Sequence, residues 1–396
     1  MTLFGADERI FTRDFLCIWV ASYAGFFSFY LIQQPTLPLY VEHLGGSATA
    51  IGWVGGAFSV TAILFRPLVG RAVDVVGRRL VVLTSGLFFV VCAPLYSVAT
   101  TIPLLILLRM VHGIGMAMFS TSTITYATDL APRVRRGELV GYFGIGNNLA
   151  LGLAPLAASL LLSAGVAYDT VFFIACGMAV IVIAVMLPAA ESPHQRMRGG
   201  LTWFSGLLSK RALAPAGLLL TVSYTYGTLS TFVAVSAAQE GFGKSSVAWF
   251  WLIYAVSLIT VRLLSGRLAD RFGRSAAIGP GLLVIVAAMA VVATLPGLTW
   301  LLSSAALYAA GFGLVYPALL ALTVDRVGMT GRGTAMATFS VAFDVGIGLG
   351  AVVGGLIFSI LGYRAMYAIS GLVPLAGLVM YCAMLQRHRG AKALVQ

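Results

Sequence analysis

Few side chains in this 396-residue sequence could do chemistry, and those few stand inside apolar runs. Arg109 lies in Leu108-Arg109-Met110-Val111-His112-Gly113-Ile114-Gly115-Met116-Ala117. A guanidinium at the centre of an apolar helix costs about 2.5–3.5 kcal/mol on insertion scales, so it must face polar surroundings and serve a purpose. His112 follows one helical turn later on roughly the same face, and an imidazole titrates near neutral pH. Asp344 is the one carboxylate well inside an apolar run, where it could carry a proton. Arg109, His112 and Asp344 are therefore the proton-coupling candidates. Structural readings stand beside these. Arg109 could hydrogen-bond carbonyls or Gln33 and Gln34 to hold helices together, and Asp344 could tie its helix to a neighbour in the second half.

A second set of charges recurs. Gly70-Arg71-Ala72-Val73-Asp74-Val75-Val76-Gly77-Arg78-Arg79 returns 196 positions later as Gly266-Arg267-Leu268-Ala269-Asp270-Arg271-Phe272-Gly273-Arg274. At the same offset Arg66 matches Arg262, Asp129 matches Asp325, Arg136-Gly137 matches Arg332-Gly333, and Asn148 stands where Asp344 does. The reading is of a basic, glycine-anchored tight turn that occurs once per half. An aspartate ending a helix there can meet the positive N-terminus of a neighbouring helix. The bland alternative is a positive loop that only sets topology. Other apparent motifs fail. Gly243-Lys244-Ser245 has Ala238 where a phosphate-binding loop needs its first glycine, and Gly346-x-Gly348-x-Gly350 lies inside an apolar run. No catalytic constellation, metal site or cofactor site emerges, so an enzyme is not expected.

The elements that position these residues must be membrane helices. The chain is 60% apolar and 10% charged, its mean hydropathy is +0.97, and soluble domains are about 25% charged. About 20 apolar residues cross a bilayer as a helix, with backbone groups satisfied inside the segment. Twelve spans are expected, near 14–40, 50–70, 79–99, 101–127, 138–163, 169–188, 211–239, 246–268, 277–296, 299–324, 333–360 and 363–386. Met1–Arg13 reads as a short charged tail rather than a cleaved signal. Residues 1–190 and 211–396 form the two halves, joined by a polar linker at 191–210. The net charge of +12 does not indicate nucleic acid, because the basic residues are dispersed in short loops. With Met1 in the cytoplasm, 22 of the 25 Lys and Arg residues fall on or near that side, leaving Lys244, Arg364 and Arg109. Both termini are thus expected in the cytoplasm of a cell (inner) membrane. Cys17, Cys92, Cys176 and Cys382 each occupy a different apolar run and read as packing residues.

The duplicated turn resembles the loops between helices 2 and 3 and helices 8 and 9 of major facilitator superfamily transporters, with Val75 and Ser275 departing from the family's basic residues. The resemblance implies an all-α membrane protein of twelve transmembrane helices in two pseudo-symmetric six-helix bundles. It also implies a cytoplasmic gate, in which Asp74 meets the start of helix 11 near Gly333–Ala335 and Asp270 the start of helix 5 near Gly137–Leu139. Gly70, Gly77, Arg78, Arg79, Asp129, Arg136, Gly266, Arg271, Gly273, Arg274, Asp325 and Arg332 would complete it. The run at Arg109 resembles the helix-4 motif of proton-coupled members, with His112 in place of a glutamine. Gly141, Ala150, Ala154 and Pro155 resemble the helix-5 antiporter motif, repeated as Gly346, Gly350 and Gly354 in helix 11. Small residues at that spacing let helices approach closely. Family helices 1, 4, 7 and 10 line the substrate cavity. That assigns it Tyr23, Phe27, Tyr30, Gln33, Gln34, Arg109, Tyr224, Tyr226, Tyr308, Phe312 and Tyr316, with Asn147 added from helix 5. The expected function is proton-coupled efflux of small amphiphilic organic compounds by alternating access, by a monomer in a lipid bilayer, with protons and substrate as its only other partners. A uniporter or proton symporter importing a sugar or organic acid is the alternative. A non-transporting membrane sensor is a third reading, and would require a soluble extension at one terminus.

Overall fold

A computed structural model describes residues 11–130, 136–192, 209–272, 277–294, 296–327 and 332–393; at 136–138, 140–141, 244, 264–272, 332–333, 385 and 387–393 it describes the helix alone. The described residues are helical throughout, joined by short turns. In chain order the helices are α1 (Arg13–His43), α2 (Ala48–Val75), α3 (Arg78–Val98), α4 (Ile102–Leu130), α5 (Arg136–Ser163) and α6 (Tyr168–Met186). The second half supplies α7 (Leu213–Gln239), α8 (Lys244–Phe272), α9 (Ile278–Thr294), α10 (Leu298–Val327), and a continuous Arg332–Ala393 stretch. Gly362 divides that stretch at φ 80° and ψ 167°, a left-handed conformation open to glycine, giving α11 (332–361) and α12 (363–393). Ten described helices are long and apolar enough to cross a membrane. One of these is the stretch that Gly362 divides, and α9 is a shorter apolar helix, so the described helices are compatible with the twelve passes expected.

Two local details depart from simple spans. Helix α1 is not continuous: its regular part ends at Leu31, and Gln34 is extended at φ −145° and ψ 122°. Pro35 removes a backbone donor there, and Thr36 Oγ1 donates to the Leu31 carbonyl at 2.6 Å, so the break leaves that oxygen satisfied. Helix α2 outruns its expected end by five residues and takes Gly70, Arg71 and Asp74 into the helix. The tight turn expected over the whole motif is therefore only Val76-Gly77. Gly77 holds φ +116°, and a β-carbon there would sit 2.9 Å from a Glu191 carboxylate oxygen. That carboxylate accepts from the Arg78 and Arg79 amides at 2.8 and 3.1 Å. An acid thus caps the positive N-terminus of α3.

Within the first half α1 packs on α5 and α6, and α3 on α4 and α6; within the second α7 packs on α11/α12, and α10 on α8 and α9. The halves meet along α2 with α11 and α5 with α8. Helix α11 carries small residues on two faces. Gly346 and Gly350 abut α7, where a methyl group would strike Ser223 Oγ and the Tyr224 carbonyl oxygen. Gly348, Ala351 and Gly355 abut Gly52, Gly56 and Ser59 of α2. The close contacts between halves fall toward the end of the bundle that holds His43, Ser47 and Gly362, where Thr49 and Ser359 hydroxyls lie 2.8 Å apart. The opposite, basic end holds the α2–α3 turn. There Arg78, itself buried, meets Asp74 at 3.2 Å, Asp129 at 2.8 Å and the Val73 carbonyl at 2.8 Å. Breaking a buried pair costs about 3–5 kcal/mol, and the half-exposed partners reduce that through solvent screening. Arg78→Gln is therefore expected to lower stability by about 1–3 kcal/mol. A melting curve of the purified variant that overlays the parent's would count against that role.

Candidate functional site

Two polar clusters occupy the middle of the bundle. The first is enclosed by the first half. Arg109, 0% exposed, donates from Nε to the Val54 carbonyl at 3.3 Å and from Nη2 to Gln33 Oε1 at 3.2 Å. Its guanidinium lies 4.8 Å from the Phe58 ring centre and 5.3 Å from Phe29. These contacts join α4 to α1 and α2, with the cation held by ring faces and neutral acceptors. His112 is also 0% exposed. Its Nδ1 is 3.2 Å from the Tyr96 hydroxyl, and its ring meets Phe29 and Phe89 edge-on at 5.2 and 4.9 Å. In this structure the pair braces the first half rather than lining an open wall. Arg109→Lys keeps the charge and loses the planar fork. It is expected to fold less stably by about 1–3 kcal/mol, and Arg109→Ala by more. Parent-like melting of Arg109→Ala would show that the guanidinium carries no such bracing.

The second cluster spans both halves. Asp344 meets Arg66 of α2, which donates from Nε at 2.8 Å and from Nη2 at 2.5 Å to one carboxylate oxygen. The two side chains are 9% and 17% exposed. Asp344 therefore ties α11 to the other half, where the sequence suggested a link inside its own half. The reason is register: Asp344, Gly348, Ala351 and Gly355 share the α11 face that meets α2, while Gly346, Gly350 and Gly354 face α7. Arg109 and Asp344, read from the sequence as the deep charges of opposite sign, are thus partnered separately. Arg262 of α8 stands with its guanidinium 5.6 Å from the Tyr316 ring centre. Tyr316 is in electrostatic reach of Arg262, Asp344 and Arg66 alike, and Tyr30 of Asp344, Arg262 and Tyr226. Tyr316 stacks on Phe312 at 5.5 Å, and Phe312 on Tyr226 at 5.5 Å. Tyr226 closes the group toward α1, its hydroxyl lying 3.2 and 3.3 Å from the Gln34 side-chain amide.

From this cluster a half-buried aromatic row follows α1 toward the basic end through Tyr30, Phe27, Tyr23 and Trp19. Tyr23 lies 5.6 Å from Phe27 and 6.4 Å from Trp19. Trp19 donates to the Tyr142 carbonyl of α5 at 3.0 Å, and Asn147 is half-buried on that same helix. On the other side of the Gln34–Tyr226 contact, toward the opposite end, a cavity of about 240 Å³ is lined by Pro35, Leu39, Glu42, His43, Tyr168 and Phe242. Tyr308 and Tyr224, expected on the cavity wall, are buried. Tyr308 is held within the second half by Thr225 and the Val222 carbonyl at 3.0 and 3.1 Å.

Of the residues assigned to a gate, Asp74 is paired with Arg78 of its own half, its side chain 47% exposed. Arg79 donates to the Met186 carbonyl at 3.2 Å and also to the Leu187 carbonyl, and Asp129 accepts from Ser192 at 3.2 Å as well as from Arg78. Asp325 lies near the end of α10. Gly266, Asp270 and Arg271 belong to the last turns of α8, Arg136 and Arg332 begin α5 and α11, and Gly141 lies in α5, with none of their side chains described. Gly273 and Arg274 fall outside the described residues. Ala150 and Ala154 of the α5 motif are fully buried, and Pro155 lies within the same helix. What the sequence reading missed is the depth of Arg66 and Arg262. The repeat offset named both, but the spans placed them close to helix ends.

The family model for the Major Facilitator Superfamily matches residues 15–331 and 216–395. The chain is similar to the staphylopine export protein of Staphylococcus aureus, 26% identical over 90% of this chain and 92% of that protein. It is also similar to multidrug resistance protein 1 of Bacillus subtilis, 23% identical over 82% and 85%. Among solved structures, the human organic anion transporter MFSD10 superposes with a TM-score of 0.71 at 19% identity, over 93% of this chain and 99% of that one. At that identity the likeness is one of fold.

Proposed function

The chain belongs to the Major Facilitator Superfamily, and from that premise we propose that this multi-pass membrane transporter is a proton-coupled exporter of small amphiphilic organic compounds. The observation that carries the reading is the Arg66–Asp344 ion pair across the α2–α11 contact. Alternating access requires the halves to rock, taken here as 1–190 against 211–396, and a charge pair in their seam resists that motion. A proton on Asp344 cancels its charge and releases Arg66, so the protonation state biases which end is open. Arg66 from α2 contacts Asp344, and Tyr316 from α10 and Tyr30 from α1 are within its electrostatic reach. The half-buried aromatic row from Tyr30 to Trp19 supplies an amphiphilic path to the cluster.

Export is favoured by similarity to an export protein and a multidrug resistance protein, and by the small-residue faces of α11, which seal the seam. The protein works as a monomer in the cell membrane with both termini in the cytoplasm, which makes the basic end cytoplasmic and obeys the positive-inside rule. The test is reconstitution in liposomes with an imposed pH gradient. A fluorescent amphiphile should accumulate against its own gradient only when the proton gradient is present. Equilibration without accumulation would identify a uniporter instead.

A further inference from the structure

Glu42 and Glu240 both stand at the end of the bundle that holds His43 and Gly362, and they are partnered unequally. Glu240, just past α7, accepts from Arg364 of α12 at 3.0 Å and from the Tyr363 hydroxyl. Glu42, in the last turn of α1, is half-buried, and among the described residues its carboxylate has no hydrogen bond or ion pair. It lines the cavity of about 240 Å³ instead. Beyond the break at Gln34 and Pro35, residues Leu37–His43 form a short helix. Tyr40 and Val41 are buried in the core on one side of it. Leu39, Glu42 and His43, at i, i+3 and i+4, share the other side and face the cavity. The facing wall comes from the second half through Ala238, Phe242 and Val247. Tyr168 of α6 adds a ring 5.3 Å from Tyr40 and 5.6 Å from His43, within electrostatic reach of Glu42. His43 and Ala238 are exposed, so the cavity opens to the outside of the bundle.

We infer that this cavity is a binding site for a small amphiphilic amine, separate from the cluster at Arg66 and Asp344. A ligand there lies on the far side of the Gln34–Tyr226 contact and need not enter that cluster. Drug-sized ligands occupy pockets of about 300–1,000 Å³, so the smaller volume suits a one-ring amine. A carboxylate partly removed from water attracts an ammonium more strongly than one in solvent, and the charge-assisted hydrogen bond between them is a strong one. The rings of Tyr168 and Phe242 offer faces to the cation or to an aryl group. Leu39, Ala238 and Val247 supply apolar contact for the chain between. Contact with this one carboxylate selects the cation, whatever the summed charge of the region.

Three probes share a phenyl ring and a short chain and differ in charge: phenylethylamine, phenylethanol and phenylpropanoate. Binding to the purified full-length protein is read by saturation-transfer NMR titration at neutral pH, with the signal from protein-free micelles subtracted. No gradient is applied, so the outcome is independent of the proton-coupled reading. The parent is expected to bind the amine about tenfold more tightly than the alcohol, one charge interaction being worth about a factor of ten, and the carboxylate probe most weakly. Glu42→Gln should bring the amine down to the affinity of the alcohol and leave the alcohol unchanged. Glu42→Asp should retain part of the preference. Ala238→Trp, which fills the cavity, should weaken amine and alcohol alike by about tenfold. Glu42 is half-buried and Ala238 exposed, and a monodisperse elution profile qualifies each variant; either one that elutes parent-like decides. An amine bound no more tightly than the alcohol by the parent overturns the proposal. So does an unchanged preference in Glu42→Gln, and parent-like amine binding in Ala238→Trp would place the ligand elsewhere and overturn it equally.

Discussion

Asp344→Asn is expected to abolish accumulation driven by a pH gradient while leaving binding measured without a gradient largely intact. The amide fills the same volume but cannot gain or lose a proton, so nothing couples the gradient to the Arg66 contact. Stability should fall as well. Removing one partner of a buried pair costs about 3–5 kcal/mol, and since Asn still accepts a hydrogen bond and Arg66 keeps some solvent contact, the expected loss is about 1–3 kcal/mol. The double replacement Arg66→Gln/Asp344→Asn separates the two effects. It should recover much of the lost stability, because no charge is left without its counterpart, yet remain uncoupled. Gradient-driven flux in Asp344→Asn equal to the parent's would exclude Asp344 as the coupling group, and the enclosed His112 would be the remaining candidate.

The second large effect concerns the seam rather than the charge. At Gly56, a β-carbon would stand 2.8 Å from Val352 Cγ2 and 2.9 Å from the Gly348 carbonyl oxygen. Gly56→Leu therefore forces α2 from α11 on the side of the seam toward His43 and Gly362, where the two helices approach closely. Overpacking of a fitted contact costs about 1–3 kcal/mol, and a conformational equilibrium poised within a few kcal/mol shifts by about ten- to a hundredfold under such a penalty. Labels placed across the two ends should report a wider separation at the His43/Gly362 end and a narrower one at the basic end, with the fold kept. Gly350→Leu is the control. It strikes the Tyr224 carbonyl within one half, so it should destabilise the second bundle without redistributing open states. Identical label distances in Gly56→Leu and the parent would show that this seam does not set the conformational balance.

The contrast between these two glycines marks where the sequence stops being readable. Both belong to small-residue stripes, and both stripes are visible in the linear chain. Lipid is as apolar as a neighbouring helix, so hydropathy assigns no partner to either face. The Gly346/Gly350/Gly354 stripe was legible as a packing surface, and only the structure gave it to α7 and gave Gly348 and Gly355 to α2. Asp344 follows from the same geometry. Its depth was plain, but its partner depended on which face of α11 met the other half.

What the sequence determined by itself is the set of properties that follow from covalent order and from the solvent. Apolar runs too long and too poor in charge for water, with backbone polar groups that must be satisfied internally, require membrane helices. A chemical pattern repeated at one offset requires two related bundles, and Gly362 breaks the last long stretch because the left-handed backbone there favours a residue without a side chain. What only the tertiary structure decided is partnership and depth. Helix α2 continues to Val75 and α8 to Phe272, beyond the ends that hydropathy suggests, and in α2 a polar residue of the last turn finds a charged partner. Asp74 and Arg78 meet there. That extension moves Arg66 and Arg262 from the rim to the interior. A charge at a helix end costs little, whereas one two turns further in requires a counter-charge, and for Arg66 the other half of the molecule supplies it.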